Sequence, residues 1–86
     1  MQIEVRKPTD NEKEAMSQEG IWASEVKTFP WHYDEKETCL ILEGEVTVKT
    51  VEQEVSFGPG DYVIFPKGLD CTWEVKKPVK KHYRFG

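Results

Sequence analysis

The sequence predicts an all-β chain with a short helical preface, and three observations carry that prediction. From Ile21 onward the apolar residues fall in short runs separated by Gly, Pro or charged turns, with no second helix signal. The turn signals recur about every 8–12 residues, the spacing of an antiparallel sandwich or barrel rather than an α/β fold. The stretch Gly60 to Gly68 is bounded by glycines, enters on Gly60-Asp61 and leaves through Pro66-Lys67-Gly68, which marks a short strand with hard stops at both ends.

Taken in order, Gln2 to Arg6 alternates as a strand with Ile3 and Val5 on one side. Thr9 and Glu12 have the spacing of a capping box, so a helix starts there, and Gly20 offers a residue able to take positive φ where it stops. Trp22 to Phe29 alternates loosely and Pro30 ends it. Thr38 to Leu42 is more continuously apolar, Glu43-Gly44-Glu45 is a turn, and Val46-Thr47-Val48 resumes alternation. Val51 to Glu54 is a polar bend, Val55 and Phe57 share an inward face, and Gly58-Pro59-Gly60 turns the chain again. Cys71, Trp73 and Val75 alternate with Thr72, Glu74 and Lys76, which places Cys71 and Trp73 inward. After Pro78 a last strand carries Tyr83 and Phe85 on one face and His82 and Arg84 on the other.

The 86 residues make one domain, with residues 1–24 as a strand-and-helix extension and 25–86 as the barrel. A domain of this size buries only roughly 60–65% of its unfolded surface, so large rings must fill much of a modest core. The net charge of −4 argues against nucleic acid as the main partner. The one basic run, Lys76-Lys77-Pro78-Val79-Lys80-Lys81, reads as a solvated strand edge, where lysines discourage unwanted pairing. No signal peptide begins the chain and no apolar run nears the roughly 20 residues that span a bilayer, so the expectation is a cytoplasmic protein free of membranes. Two cysteines are too few for a disulfide scaffold, and in that compartment Cys39 and Cys71 are thiols.

Two signatures then give the chain a family likeness. Glu37, six residues and Gly44 form the first; Gly60, five residues and Pro66-Lys67-Gly68 form the second. Together they resemble the cupins, small jelly-roll β-barrels of RmlC-like type. Phe29-Pro30-Trp31, Glu37-Thr38-Cys39, Cys71-Thr72-Trp73 and Lys81-His82-Tyr83 look like the small single-domain cupins related to the ureidoglycine aminohydrolase cupin domain. The likeness covers roughly residues 25 to 85 and implies a fold, not a reaction.

In metal-binding cupins the first signature supplies two histidines and the glutamate, and the second supplies a third histidine. The resemblance puts Cys71 where that last histidine is expected. It places either His32 with Pro30, or Tyr33 with Trp31, at the first two positions, and both registers stay open because Asp34-Glu35-Lys36 breaks the two-residue period. A set of His32, Glu37 and Cys71 would suit a divalent transition metal such as Zn, Mn, Fe, Ni or Cu, acting as a Lewis acid.

A ligand pocket is expected from Trp31, Tyr33, Glu37, Cys39, Cys71, Trp73 and Tyr83. An inward carboxylate is costly unless paired, which makes Tyr33, Tyr83 or Lys81 the partners to expect for Glu37. Cys39 lies two residues further along the same face, about 6.6 Å on. Buried cysteines behave mainly as small hydrophobes, and large rings mainly as core filling. The favoured function is a small-molecule-binding module, with a metal-dependent enzyme resembling ureidoglycine aminohydrolase as the alternative. Small cupins commonly pair through sheet faces and terminal strands, which gives the expectation of a homodimer to which Ile3 to Val5 contributes.

Overall fold

The computed structural model describes residues Met1–Gly86. Seven strands and one helix follow in the order β1 (Glu4–Arg6), α1 (Asp10–Met16), β2 (Gly20–Ser24), β3 (Lys27–His32), β4 (Glu37–Lys49), β5 (Glu54–Phe57), β6 (Tyr62–Phe65) and β7 (Asp70–Phe85). The all-β jelly roll read from the sequence is the fold, with every strand pair antiparallel.

Two long strands organise it. β4 and β7 pair along their whole lengths, from Glu37 opposite Phe85 to Lys49 opposite Thr72. At one end they are flanked by β6 and β2, with β1 outside β6; at the other by β5 and β3. The sheet therefore wraps over a single interior without closing into a complete ring. Residues 1–24, expected as an extension, supply strands at both margins, since β1 pairs with β6 and β2 with the second half of β7.

The length of β4 corrects one reading. Glu43-Gly44-Glu45 is not a turn between two strands but a bulged bend within one, marked by register shifts between Ile41 and Val46. Inward residues are Glu37, Cys39 and Ile41 before it and Val46 and Val48 after it, so the bend moves the inward set from odd to even positions. Gly44 has φ +98°, and a Cβ there would lie 2.7 Å from Val79 Cα and 2.9 Å from the Lys77 carbonyl oxygen. Only glycine lets the two strands cross so closely at this angle.

Two proline readings are also corrected. Pro30 lies inside β3, opposite Thr72, because β3 pairs only with β7 and its outer edge needs no donor. Pro78 lies inside β7 at the register break, where β3 has ended and β2 has not begun. Gly20 does not stop the helix. Ser17 is the C-cap in right-handed helical conformation, and Gly20 opens β2 where the Tyr83 ring approaches too closely for a side chain.

The capping box holds as read: the Thr9 hydroxyl accepts from the Glu12 amide at 3.1 Å, and the Thr9 amide donates to Glu12 at 2.9 Å. The helix is seated on the outside of the sheet, where Met16 packs with Leu40 and Tyr62. Arg6 clamps it, reaching both Glu12 oxygens at 2.7 and 2.6 Å while lying over the Tyr62 ring. Inside, the core joins Ile3, Ile41, Val46, Val48, Val63, Val75 and Val79 to a ring cluster of Tyr33, Phe57, Phe65 and Trp73. Phe65 stacks on Tyr33 at 4.9 Å and lies 5.5 Å from Trp73. Such contacts add about 0.5–1.5 kcal/mol per pair beyond the buried area.

Candidate functional site

The first half of β4 and the second half of β7 run side by side, and their inward residues meet in one place. Register pairs Cys39 with Tyr83, Ile41 with Lys81 and Glu37 with Phe85. Glu37 and Lys81 are both buried, and Lys81 Nζ donates to Glu37 Oε2 at 3.0 Å. The Tyr33 hydroxyl donates to the other oxygen, Oε1, at 2.8 Å. The partners expected for Glu37 thus include the two it has, Tyr33 and Lys81.

Lys81 is further held by aromatic faces and a thiol. Its Nζ lies 4.4 Å from the Trp73 ring centre and 4.9 Å from that of Trp22, and 3.4 Å from Cys39 Sγ. An ammonium over indole faces is stabilised by the ring quadrupole, most strongly where water is absent. The reading of the whole basic run as a solvated edge is therefore corrected at this position: Lys76, Lys77 and Lys80 are exposed, whereas Lys81 is interior.

In front of the pair opens a cavity of about 210 Å³, lined by Trp22, Phe29, Trp31, Tyr33, Glu37, Trp73, Lys81, Tyr83 and Phe85. Glu37 and Lys81 are its charged residues; the rest are rings. Trp73 and Phe29 lie nearly parallel at 6.0 Å, with Trp22 edge-on to both. Trp31 and Phe85 are about half exposed and form the rim.

Of the residues read as a ligand pocket, Trp31, Tyr33, Glu37, Trp73 and Tyr83 line this cavity. Cys39 sits behind the pair, against Lys81. Cys71 is buried to one side, its thiol directed at the Trp31 carbonyl at 3.6 Å. Both cysteines are free. Burial pushes the Cys39 thiol well above its ordinary range, the Lys81 charge opposing and the Glu37 charge adding to it. Burial, with the charges of Asp70 and Glu37, pushes Cys71 up to about 11. Both stay protonated near neutral pH, the state of a packing residue rather than of a nucleophile. Burial, then the Glu37 charge, holds the Tyr33 hydroxyl protonated as a donor.

The residues grouped as a metal set do not converge. His32 stands exposed at the end of β3, with Nδ1 2.7 Å from Asp70 Oδ1 and Nε2 3.7 Å from Asp34 Oδ1. Glu37 spends both oxygens on Tyr33 and Lys81, and no three His, Cys, Asp or Glu side chains form a group that could hold a metal ion. The donor set present does not fit the transition metal of metal-binding cupins. His82 likewise stays on the outer face, against the Glu19 carbonyl at 3.2 Å.

Sequence reasoning missed Trp22, Phe29 and Phe85 as lining residues, and it named Lys81 as a partner for Glu37 but not among the residues of the pocket. A signal existed for Lys81. Once Tyr83 and Phe85 are read as sharing a face, the period of two puts Lys81 on that face as well.

The family model of the EutQ-like cupin domain matches residues 11–83. A crystal structure of a DUF861-family protein from Thermotoga maritima is 42% identical, covering 99% of this chain and 100% of that one, with a TM-score of 0.93. The EutQ protein of Clostridium difficile is 21% identical over 77% of this chain and 52% of that one, with a TM-score of 0.71. An ethanolamine utilization protein Q from Salmonella typhimurium, described as such provisionally, is 20% identical over 96% of this chain and 68% of that one, again at 0.71. The chain spans about half the length of the Clostridium protein. Among curated proteins none matches.

Proposed function

The chain belongs to the EutQ-like cupin domain family, and on that premise we propose that it is a small-molecule-binding cupin whose ligand enters between Trp31 and Phe85 and lies against Trp73. One observation carries the reading: an aromatic cavity opens onto a buried, mutually neutralised Glu37–Lys81 pair. Flat ring walls suit a flat ligand, and a pair without net charge favours a neutral one. At about 210 Å³ the space is below the range of about 300–1,000 Å³ for drug-sized ligands. A one-ring or compact two-ring molecule of about 10 non-hydrogen atoms at about 0.5 kcal/mol each binds with about 5 kcal/mol, a Kd of a few tenths of a millimolar.

A metal-dependent reaction of the ureidoglycine aminohydrolase kind has less support. Its carboxylate is held by Tyr33 and Lys81, and its one histidine of the first signature is turned away to Asp70. The neighbours named for ethanolamine utilization are too distant in sequence to carry more than the fold. The two free thiols are in keeping with a reducing compartment such as the cytoplasm.

The test is a titration with small planar compounds followed by indole resonances. Binding should move the Trp31 and Trp73 signals together, and Trp31→Ala should weaken it several-fold, about 1 kcal/mol for a rim ring. A panel of such compounds that leaves both indoles unmoved refutes the proposal.

A further inference from the structure

The cavity presents a single amine, Lys81 Nζ, and a single group able to take its proton, Glu37 Oε2, 3.0 Å away. Lysines enclosed in apolar pockets are the amines that form covalent adducts with carbonyl compounds. We propose that the cavity captures a small aromatic or apolar aldehyde or ketone as a Schiff base on Lys81, with Glu37 moving the protons. This rests on the reading of the cavity as a ligand site.

Three features support it. The first is the proton path: the Tyr33 hydroxyl holds Oε1 at 2.8 Å, which leaves Oε2 aimed at the amine. With Oε2 3.0 Å from Nζ, a proton passed from the ammonium to Glu37 leaves the free amine that attacks the carbonyl compound. The second is charge. The Nζ lone pair attacks the carbonyl carbon and the C=O pair moves onto oxygen; Glu37 gives that oxygen its proton and takes one from the nitrogen in return, which leaves the neutral carbinolamine and a protonated Glu37. Glu37 then protonates the hydroxyl, water leaves, and the nitrogen lone pair forms C=N. The sum is one ammonium and one carbonyl compound giving one iminium and one water.

An iminium has the charge of the ammonium it replaces. It keeps the ion pair with the regenerated Glu37 carboxylate and the position over the Trp22 and Trp73 rings. The third feature is the lack of competition, because Cys39 and Cys71 stay protonated and neither lines the cavity. The carbonyl substituent then lies between rings, which selects aromatic or apolar groups over sugars.

The experiment treats the full chain with benzaldehyde and borohydride at neutral pH, followed by intact mass and peptide mapping. The expected product is heavier by one aldehyde less one oxygen atom and carries the label on Lys81, about tenfold ahead of the exposed Lys76, Lys77 and Lys80. Lys81→Arg should lose it, and Glu37→Gln should slow it by roughly 10²-fold with unchanged circular dichroism, the scale of a lost acid–base group. Label spread over surface lysines with none on Lys81 overturns the proposal; equal labelling rates in Glu37→Gln overturn the role of Glu37. Benzyl alcohol separates the two readings. If it shifts the indole signals while benzaldehyde fails to label Lys81, capture is wrong and the cavity reading stands; if neither acts, both fall.

Discussion

Replacing Lys81 with methionine removes the ammonium but keeps most of the stem, and the structure sets the scale of the loss. The side chains of Lys81 and Glu37 are each only 5% exposed, so the pair is shielded from the screening that makes surface ion pairs nearly worthless. Removing one partner of a buried pair costs about 3–5 kcal/mol, because the remaining charge is stranded. Here the Tyr33 hydroxyl still serves Glu37 Oε1, which favours the lower end, while the lost contacts to Trp22 and Trp73 add about 0.5–1 kcal/mol each. About 4 kcal/mol is expected in urea denaturation, a large fraction of the 5–15 kcal/mol that holds a whole domain. In Lys81→Met with Glu37→Gln the stranded charge is gone, and most of the loss should return. A double-mutant cycle should give a coupling of about 2–3 kcal/mol. A cost below about 1 kcal/mol for Lys81→Met, with additive effects in the double variant, would refute the reasoning and mark the pair as solvated.

Three further outcomes follow from other parts of the fold. Gly44→Ala sets a side chain at φ +98° against the backbone of Lys77 and Val79, and should cost about 3 kcal/mol or more from strain and collision, read as a lost unfolding transition or a shift of more than about 10 °C in Tm. The Glu12 carboxyl is held at about 2 against an ordinary 4.5, first by the Arg6 hydrogen bond and then by the Thr9 amide, so its stabilising contribution is complete above pH 4.5 and is lost as pH falls through about 2; Arg6→Ala should flatten the acid limb of a urea-midpoint profile in that window, and an unchanged profile would contradict the assignment. Light scattering of the full chain should give a dimer, with the outer strand β1 as a contributor, and a monomer at high concentration rejects the proposed pairing.

The fold was legible because its punctuation is local. Gly60, Pro66 and Gly68 delimit β6 by backbone chemistry alone, and the Thr9–Glu12 box starts α1 whatever the sheet does. Prolines 30 and 78 misled for the opposite reason. A proline excludes a strand interior only where its missing donor has a partner, and whether a strand lies at an edge or a bulge is decided by pairings about 40 residues away in β7 and β4. The same holds for Gly44: a glycine between two glutamates reads as a turn, and only the opposite strand shows that it lets two backbones touch.

The site divides along the same line. Trp31, Tyr33, Glu37, Trp73 and Tyr83 were readable because an inward carboxylate demands partners and inward rings gather. Lys81 was readable only as one of three candidate partners for Glu37, since four lysines within six positions read as surface although only the last turns in. Its burial changes the chemistry open to Glu37. A carboxylate at this place in the barrel can complete a metal's donor set or neutralise a cation carried by the protein, and it cannot do both with the same oxygens. In this chain Tyr33 and Lys81 take the two oxygens, and the indoles of Trp22 and Trp73 face the ammonium. Changing Cys71 to histidine alone should therefore not create a metal site: while Lys81 remains, Glu37 is committed, and metal affinity has to be sought in a variant that removes the lysine first.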